Sequence, residues 1–464
     1  GFVMSDWGAA HDAVKAVMSG LDIEMPAGGT FLNLTDLVMV NKTVSKNTVD
    51  EMAIHVISAM YAVGHFDGAF PLENVAPRGH MQATTPEHDQ VAYRTIVESA
   101  VLLKNQDETL PFDVNIKKIA MVGRFCNHVF EKSYAQGSTY SGGGSGFVNT
   151  TRERTFTPVE SLKHMMKGTG VDVTYGVSGK AAKGADVAVI CLAAHSEEGW
   201  DRANLTVPQE ATDLIADVKK HGGLDQKIVV LLMAPGAVET EWAADVNAVL
   251  LMFMPGEEVG KATAALLTGR EAPGGRLPIS LPKAGENRFE QYQYPGVCAG
   301  NTWCDKMTAN FTDGVLVGYR WNDAKGVPAA YPFGFGLTYT QFALSRFSAK
   351  CMGKNKAMVS LRVTNTGARD GQAVPQLYVG FPSLAPALRQ LRGFQKVTVG
   401  VGQEADVVFV LGGEDWSYFS EDKDGWVSAM ESGEDIEVSL GSSSSDLQWS
   451  DTIKCSSNEA ALSL

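Results

Sequence analysis

Long hydrophobic runs are missing from this 464-residue chain: the longest apolar stretches, such as Val187–Ala194 and Ile228–Ala234, fall well short of the ~20 residues that a bilayer-spanning helix requires. No membrane segment is expected. Basic residues are outnumbered, with 39 Lys plus Arg against 53 Asp plus Glu, and the formal charge of -14 disfavours a polyanionic partner such as nucleic acid or an anionic membrane face. The nine histidines include no His-x-x-x-His pair and no Cys-x-x-Cys occurs, so a metal site has little support. No Gly-x-Ser-x-Gly elbow is found, which disfavours a serine hydrolase. The run Gly142-Gly143-Gly144-Ser145-Gly146 lacks a following Lys-Ser/Thr and the dinucleotide spacing, so nucleotide binding is rejected. The chain also opens at Gly1 with no initiator Met and no charged-then-apolar leader, and a preceding segment is expected.

What is present describes a secreted-type globular protein. Hydrophobic residues make up 44% of the chain and charged ones 20%, values of an ordinary folded protein, and the length exceeds what one core usually supports. Six cysteines and the sequons at Asn33, Asn41, Asn149, Asn204 and Asn310 lean towards an oxidising secretory route, with a vacuolar or lysosomal lumen as the alternative. Cys298 and Cys304 are close enough to close a small loop, while Cys351 and Cys455 bracket the last segment.

Hydrophobic periodicity divides the chain. Residues 1–65 read as two short strand–helix units, with strands at Phe2–Met4 and Leu21–Ile23 and helices at His11–Met18 and Leu34–Tyr61. They look like the carboxyl-terminal part of a β/α barrel, of which most is absent, since a whole barrel uses about 250 residues. A linker covers 66–86. An α/β sandwich over 87–282 is expected to begin with a helix at His88–Asn105, followed by strands at Lys118–Val122, Val171–Tyr175, Ala185–Leu192, Lys227–Met233 and Ala248–Met254 and a helix at Glu210–His221. Residues 283–345 have no clear period and read as a connecting segment. From 346 to 455 short strands at Met358–Thr364, Gln376–Gly380, Phe394–Val399, Ala405–Leu411 and Ile436–Leu440 suit a β-sandwich, followed by a tail at 456–464.

Asp6 follows an apolar strand and precedes Trp7-Gly8, where a barrel places its catalytic groups at the carboxyl ends of strands; an Asp capping the next helix is the plainer reading. Trp7 is either core or a platform for a sugar ring. Ser196-Glu197-Glu198-Gly199-Trp200-Asp201-Arg202 is a carboxylate-rich loop tip that is either solvated or functional.

The segments Gly1-Phe2-Val3-Met4-Ser5-Asp6-Trp7 and Gly20-Leu21-Asp22-Ile23-Glu24-Met25-Pro26 resemble the nucleophile region of glycoside hydrolase family three. The resemblance continues in Ser99–Asn105 with Leu110-Pro111, Pro255–Gly260, Gly274–Pro278, Gly318-Tyr319-Arg320 and Tyr331–Tyr339, and so covers essentially the whole chain. It implies a fibronectin type III-like last domain. It also implies a retaining β-glycosidase with Asp6 as nucleophile and Glu198 as acid/base, working by double displacement without a cofactor. The loop departs from the family's Ser-Gly-Glu-Gly-Tyr-Asp-Arg in having Glu197 for Gly, which leaves two adjacent carboxylates as candidates. Ser145, in a loop similar to the family's Gly-Ser-Gly, becomes a candidate sugar contact, while Asp22 and Glu24 are given stabilising roles. Phe333, Phe335 and Tyr339 are assigned to packing at a domain junction. The implied substrate is a β-linked oligosaccharide or an aryl or alkyl glucoside. A β-xylosidase is the nearest alternative, and an inactive fragment or subunit, dependent on the missing barrel segment and retaining a carbohydrate-binding surface, is the reading from another class.

Overall fold

The computed structural model describes residues 1–68, 83–128, 141–148, 150–285, 293, 296, 308–353, 356–384, 388–420 and 422–453. The chain divides into two compact units, Gly1–Thr84 and Thr85–Leu464.

In the first unit, strand β1 (Met4–Trp7) runs parallel to β2 (Ile23–Met25), with Met4 opposite Ile23 and Trp7 opposite Met25. The crossover contains α1 (Ala13–Met18), whose first turn is capped by the Asp12 carboxylate accepting from the Lys15 N–H at 3.0 Å. Asp6 therefore lies inside β1, not after it: both strands sit further along the chain than the apolar runs suggested, because pairing with β2 sets the strand. The expected single helix at Leu34–Tyr61 is two, α2 (Leu34–Met39) and α3 (Lys46–Ala62). Lys42 adopts φ 51 between them, and Ser45 caps the second helix by accepting from the Thr48 N–H at 3.0 Å. Asp22 and Glu24, given stabilising roles by the resemblance, are both buried. Burial works against the ionisation of Asp22, but the Val3 N–H at 2.8 Å and the His55 ring at 2.9 Å hold its carboxyl below the usual range. Glu24 accepts from the N–H groups of Thr30 and Phe31 and so caps the turn at Thr30–Asn33.

The second unit begins with α4 (Pro86–Ser99), opened by a Thr85–His88 capping box. The expected continuation of this helix to Asn105 is wrong. Ala100 turns to φ -61, ψ 127, and Val101–Asn105 forms β3, an edge strand antiparallel to β8 (Ala248–Leu251). Ala100, Val101 and Leu102 are wholly buried, so this run is covered on both sides, as a strand inside a layered sheet must be. Between them lie β4 (Lys118–Val122), β5 (Asp172–Gly176), β6 (Val187–Ala193) and β7 (Lys227–Met233). The sheet order is β3-β8-β7-β6-β4-β5, and every pair except β3–β8 is parallel. One face packs against α4, α5 (Pro158–Met166) and α7 (Val259–Thr268); the other packs against α6 (Gln209–His221) and the turn at Glu241–Asp245. This is a doubly wound sheet. Its order reverses between β4 and β6, and ligands of such sheets gather in the crevice outside the carboxyl ends of those two strands.

After the connecting segment, which contains α8 (Tyr319–Lys325), the chain forms a β-sandwich. It opens with β9 (Phe342–Cys351), so the sandwich starts earlier than the sequence pattern indicated. β10 (Ala357–Asn365) and the strands Gln376–Phe381, Glu404–Leu411 and Ile436–Ser443 match the expected runs. The remaining expected run, Phe394–Val399, is divided between strands at Leu388–Phe394 and Val397–Val399. β10 alternates buried and half-buried residues along its length, and the inner faces close on Trp416, Phe381 and Leu361. The junction with the α/β layer is polar as well as aromatic. Tyr319 stacks on Phe333 at 4.7 Å, the Tyr339 hydroxyl donates to the Leu266 carbonyl at 2.8 Å, and buried Gln376 donates to the Gly334 carbonyl at 2.9 Å. Phe333 and Tyr339 are thus occupied in packing, and Phe335 packs against the core of the α/β layer.

Candidate active site

The crevice at the switch point is built from two connections that leave neighbouring strands in different directions. β6 ends at Ala193, and the chain continues through His195 into the Glu197–Glu198 turn. This turn is closed by the Glu197 N–H donating to the Trp200 carbonyl at 3.3 Å and the Trp200 N–H donating back at 3.0 Å, with Gly199 at φ 79. On the other side, the connection from β4 includes the glycine-rich loop, which folds into a single tight turn at Gly144–Gly146.

The loop lies directly on Glu198. The Ser145 N–H donates to Glu198 Oε2, and the Ser145 hydroxyl is bonded to the same carboxylate. Together these donors, the hydroxyl foremost, hold the exposed Glu198 carboxyl below its usual range, because they favour the charged form. Gly144 is required for this contact twice over. It adopts φ +67, and a Cβ there would sit 2.4 Å from Glu198 Cβ and 2.8 Å from Oε2. Gly144→Ala is therefore expected to force the loop off Glu198 and to let its carboxyl titrate back up towards the ordinary range. An unchanged Glu198 titration in that variant would show that the loop contact is incidental.

Glu197, the neighbouring candidate, differs in every respect. Its side chain is only 8% exposed, Oε2 has no hydrogen-bond partner among the described residues, and His195 Nε2 lies 3.9 Å from it. The two adjacent glutamates thus point into different surroundings, and only Glu198 meets the glycine loop. A cleft of about 650 Å3, lined by His195, Arg202, Asn204, Gln209, Glu239 and Trp242, adjoins the segment that carries the two glutamates.

The far end of the glycine segment is anchored by groups that the sequence reading did not single out. Arg154 donates to Glu257 through Nε at 2.9 Å and Nη2 at 3.0 Å and also to Asp89, while Thr150 donates to Glu257. Only the recurrence of Glu257 in the Pro255–Gly260 motif could have drawn attention to it. A disulfide joins Cys126 to Cys191, a pairing not anticipated from spacing. Cys351 is also disulfide-bonded, while Cys298, Cys304 and Cys455 lie outside the described residues.

In the first unit, Asp6 is exposed near the end of β1, its Oδ1 accepting the Trp7 N–H at 2.7 Å, and the Trp7 side chain is 69% exposed. Both residues are open to solvent within that unit.

A doubly wound α/β layer with a loop-held carboxylate at its switch point, followed by a β-sandwich, defines a multidomain α/β and all-β architecture. The glycosyl hydrolase family 3 C-terminal domain matches residues 100–339 and the fibronectin type III-like domain matches residues 373–444. The chain belongs to glycosyl hydrolase family 3. It is 30% identical to thermostable β-glucosidase B of Acetivibrio thermocellus, over 98% of this chain and 59% of that protein, and 30% identical to the probable β-glucosidase G of Aspergillus terreus, over 97% and 62%. The chain thus spans about three fifths of the length of these curated relatives. Among solved structures, a β-glucosidase from Chaetomella raphigera superposes with a TM-score of 0.82 at 26% identity, covering 98% of this chain and 68% of that one. The β-glucosidase of Bifidobacterium adolescentis gives 0.80 at 28%, covering 100% and 66%.

Proposed function

We propose that this chain carries both catalytic carboxylates of a secreted retaining β-glucosidase that removes terminal non-reducing β-D-glucosyl residues from oligosaccharides or from aryl and alkyl glucosides. Asp6 attacks the anomeric carbon, while Glu198 protonates the leaving oxygen and then activates the water that releases the sugar. The observation that carries this reading is the exposed Glu198 carboxylate held under the glycine loop at the switch-point crevice. The names of the relatives support the substrate class.

The local electrostatics bear on the order of events. With the Ser145 donors in place, Glu198 is held as a carboxylate, which suits its second task, general-base help to water. Its first task needs the proton. The Ser145 donors must therefore give way when substrate enters, so that Glu198 takes up a proton from solvent and donates it to the leaving-group oxygen, and Ser145 is left free to contact the sugar. Exposed Trp7, next to the nucleophile, offers the apolar face of an indole to the same sugar ring.

Trapping tests the assignment of the nucleophile. In the enzyme completed by its barrel segment, a 2-deoxy-2-fluoro-β-glucoside carrying a good leaving group should stop turnover and leave one fluoroglucosyl unit on the peptide containing Asp6. Labelling elsewhere, or no covalent adduct while hydrolysis proceeds, would refute it.

A further inference from the structure

We infer that Ser5 is a positioning residue for the nucleophile: its hydroxyl, bonded to the backbone of Met25, braces a bulge in β1 that sets the direction of the Asp6 carboxylate. The inference rests on the reading of Asp6 as the nucleophile.

β1 and β2 do not keep a constant register. Met4 stands opposite Ile23, so a regular parallel ladder would set Asp6 opposite Met25, yet Trp7 stands there instead. Three steps along β1 thus match two along β2, and the extra residue falls in the stretch Ser5-Asp6. Side chains alternate between the two faces of a strand, so one inserted residue re-aims those beyond it relative to the neighbouring strand. A slip back to the regular register would put Asp6 opposite Met25 and turn its side chain to the other face.

The strand is fastened on both sides of this irregularity. Before it, the Val3 N–H donates to the Asp22 carboxylate at 2.8 Å, and the Val3 carbonyl accepts from the N–H groups of Asp22 and Ile23 at 3.0 and 3.1 Å. After it, the Gly8 N–H donates to the Met25 carbonyl at 2.9 Å. Between these anchors a bulge interrupts the ladder, and the Ser5 side chain spans the interruption. Its Oγ accepts the Met25 N–H at 2.8 Å, and the same hydroxyl donates to the Met25 carbonyl at 3.4 Å. Ser5 is half-buried between exposed Met4 and exposed Asp6, so its side chain is turned to the neighbouring strand while that of Asp6 is turned to solvent.

The bulge acts on the carboxylate through the next peptide. The Trp7 N–H donates to Asp6 Oδ1 at 2.7 Å, and the Asp6 carbonyl accepts the Ala9 N–H at 3.2 Å. The direction of the carboxylate is thereby tied to the backbone geometry of the bulge. An attacking oxygen has to be held to within about 0.5 Å of its productive place, so whatever fixes the bulge fixes the reaction geometry. Removing the Ser5 hydroxyl takes away the brace while leaving the carboxylate itself intact.

The test compares Ser5→Val with Ser5→Thr, side chains of nearly equal shape that differ in the hydroxyl, in the enzyme completed by its barrel segment. Inactivation by a 2-deoxy-2-fluoro-β-glucoside with a good leaving group is followed at several concentrations, which separates binding from the limiting rate of attack. Ser5→Val should lower the limiting rate by about 10–100-fold, as ~1 Å misplacements do, with the half-saturating concentration within about twofold. Ser5→Thr should stay within about threefold of the parent in both. The Met25 amide should exchange at least about tenfold faster in Ser5→Val and not in Ser5→Thr. Equal limiting rates in the two variants, or a loss confined to the half-saturating concentration, would overturn the inference. If Ser5→Val does not fold, Ser5→Ala takes its place in the comparison. Failure of both to fold would mean that Ser5 holds the strand up and does not aim the carboxylate, which overturns it too. Should the Met25 amide respond as expected while the label in the parent maps away from Asp6, the brace stands and the nucleophile assignment falls.

Discussion

Asp6→Ala, made in an enzyme with a complete barrel, should lower turnover at least about 10^4-fold for every substrate, whatever its leaving group, because no glycosyl-enzyme can form. Glu198→Ala should fail differently. A phenyl or cellobiose-type substrate needs its leaving oxygen protonated and should slow by about 10^2 to 10^4, the usual worth of a general acid. A dinitrophenyl glucoside needs no such help, so it should still glycosylate Asp6 and the intermediate should accumulate. General-base assistance is lost as well, so added azide should accelerate turnover and give the β-glycosyl azide, with configuration retained through two inversions. For Asp6→Ala any azide product should be the α-anomer. Azide rescue by Glu197→Ala with Glu198→Ala near wild type would reverse the assignment of the two glutamates, even though only Glu198 meets the glycine loop. If neither glutamate affects a poor leaving group, the acid lies outside this turn.

The chain assayed by itself should show no appreciable hydrolysis of an aryl β-glucoside, set against about 10 per second for a typical enzyme. The reason lies in the first unit. Within the described residues its two-stranded parallel sheet has no partner on either edge, and its buried core is three side chains, Val17, Val44 and Met52. Phe2, Met4, Ile54, Ile57 and Tyr61 are exposed, each between 39% and 62%. Such a unit buries too little apolar surface to offset its ordering entropy, so Asp6 and Trp7 are not held in place. The second unit, with continuous cores on both faces of its sheet, should remain folded. Adding a barrel-completing segment should restore turnover. Near-wild-type rates from the chain alone would contradict this, as would calorimetry showing one cooperative transition that includes the first unit.

Much of the fold was legible because its signals are local. The apolar runs at Val187–Ala193 and Lys227–Met233 announce strands covered on both faces, and the alternation in Ala357–Asn365 announces a strand with one face inward. Motif order named the family and singled out Asp6 and the Glu197–Glu198 pair. Periodicity failed at Val101–Asn105, where a short apolar run following a helix reads equally well as more helix, and pairing with β8 made it a strand. It failed again at Asp6, whose place within β1 depends on the register with β2.

The site divides along the same line. By itself the sequence determined which residue types stand at the loop tips: two glutamates, a glycine-rich run, a serine. Tertiary structure alone decided that Ser145 meets Glu198 rather than Glu197 and that Gly144 must have no side chain. It also paired Cys126 with Cys191 across 65 residues of sequence. Those contacts run between segments far apart in the chain, and they exist because β4 and β6, separated in sequence by β5, lie side by side in the sheet. Periodicity reports the neighbours of a residue along its own strand or helix, whereas strand order is settled by how whole faces bury against one another, a property that no short stretch of sequence carries.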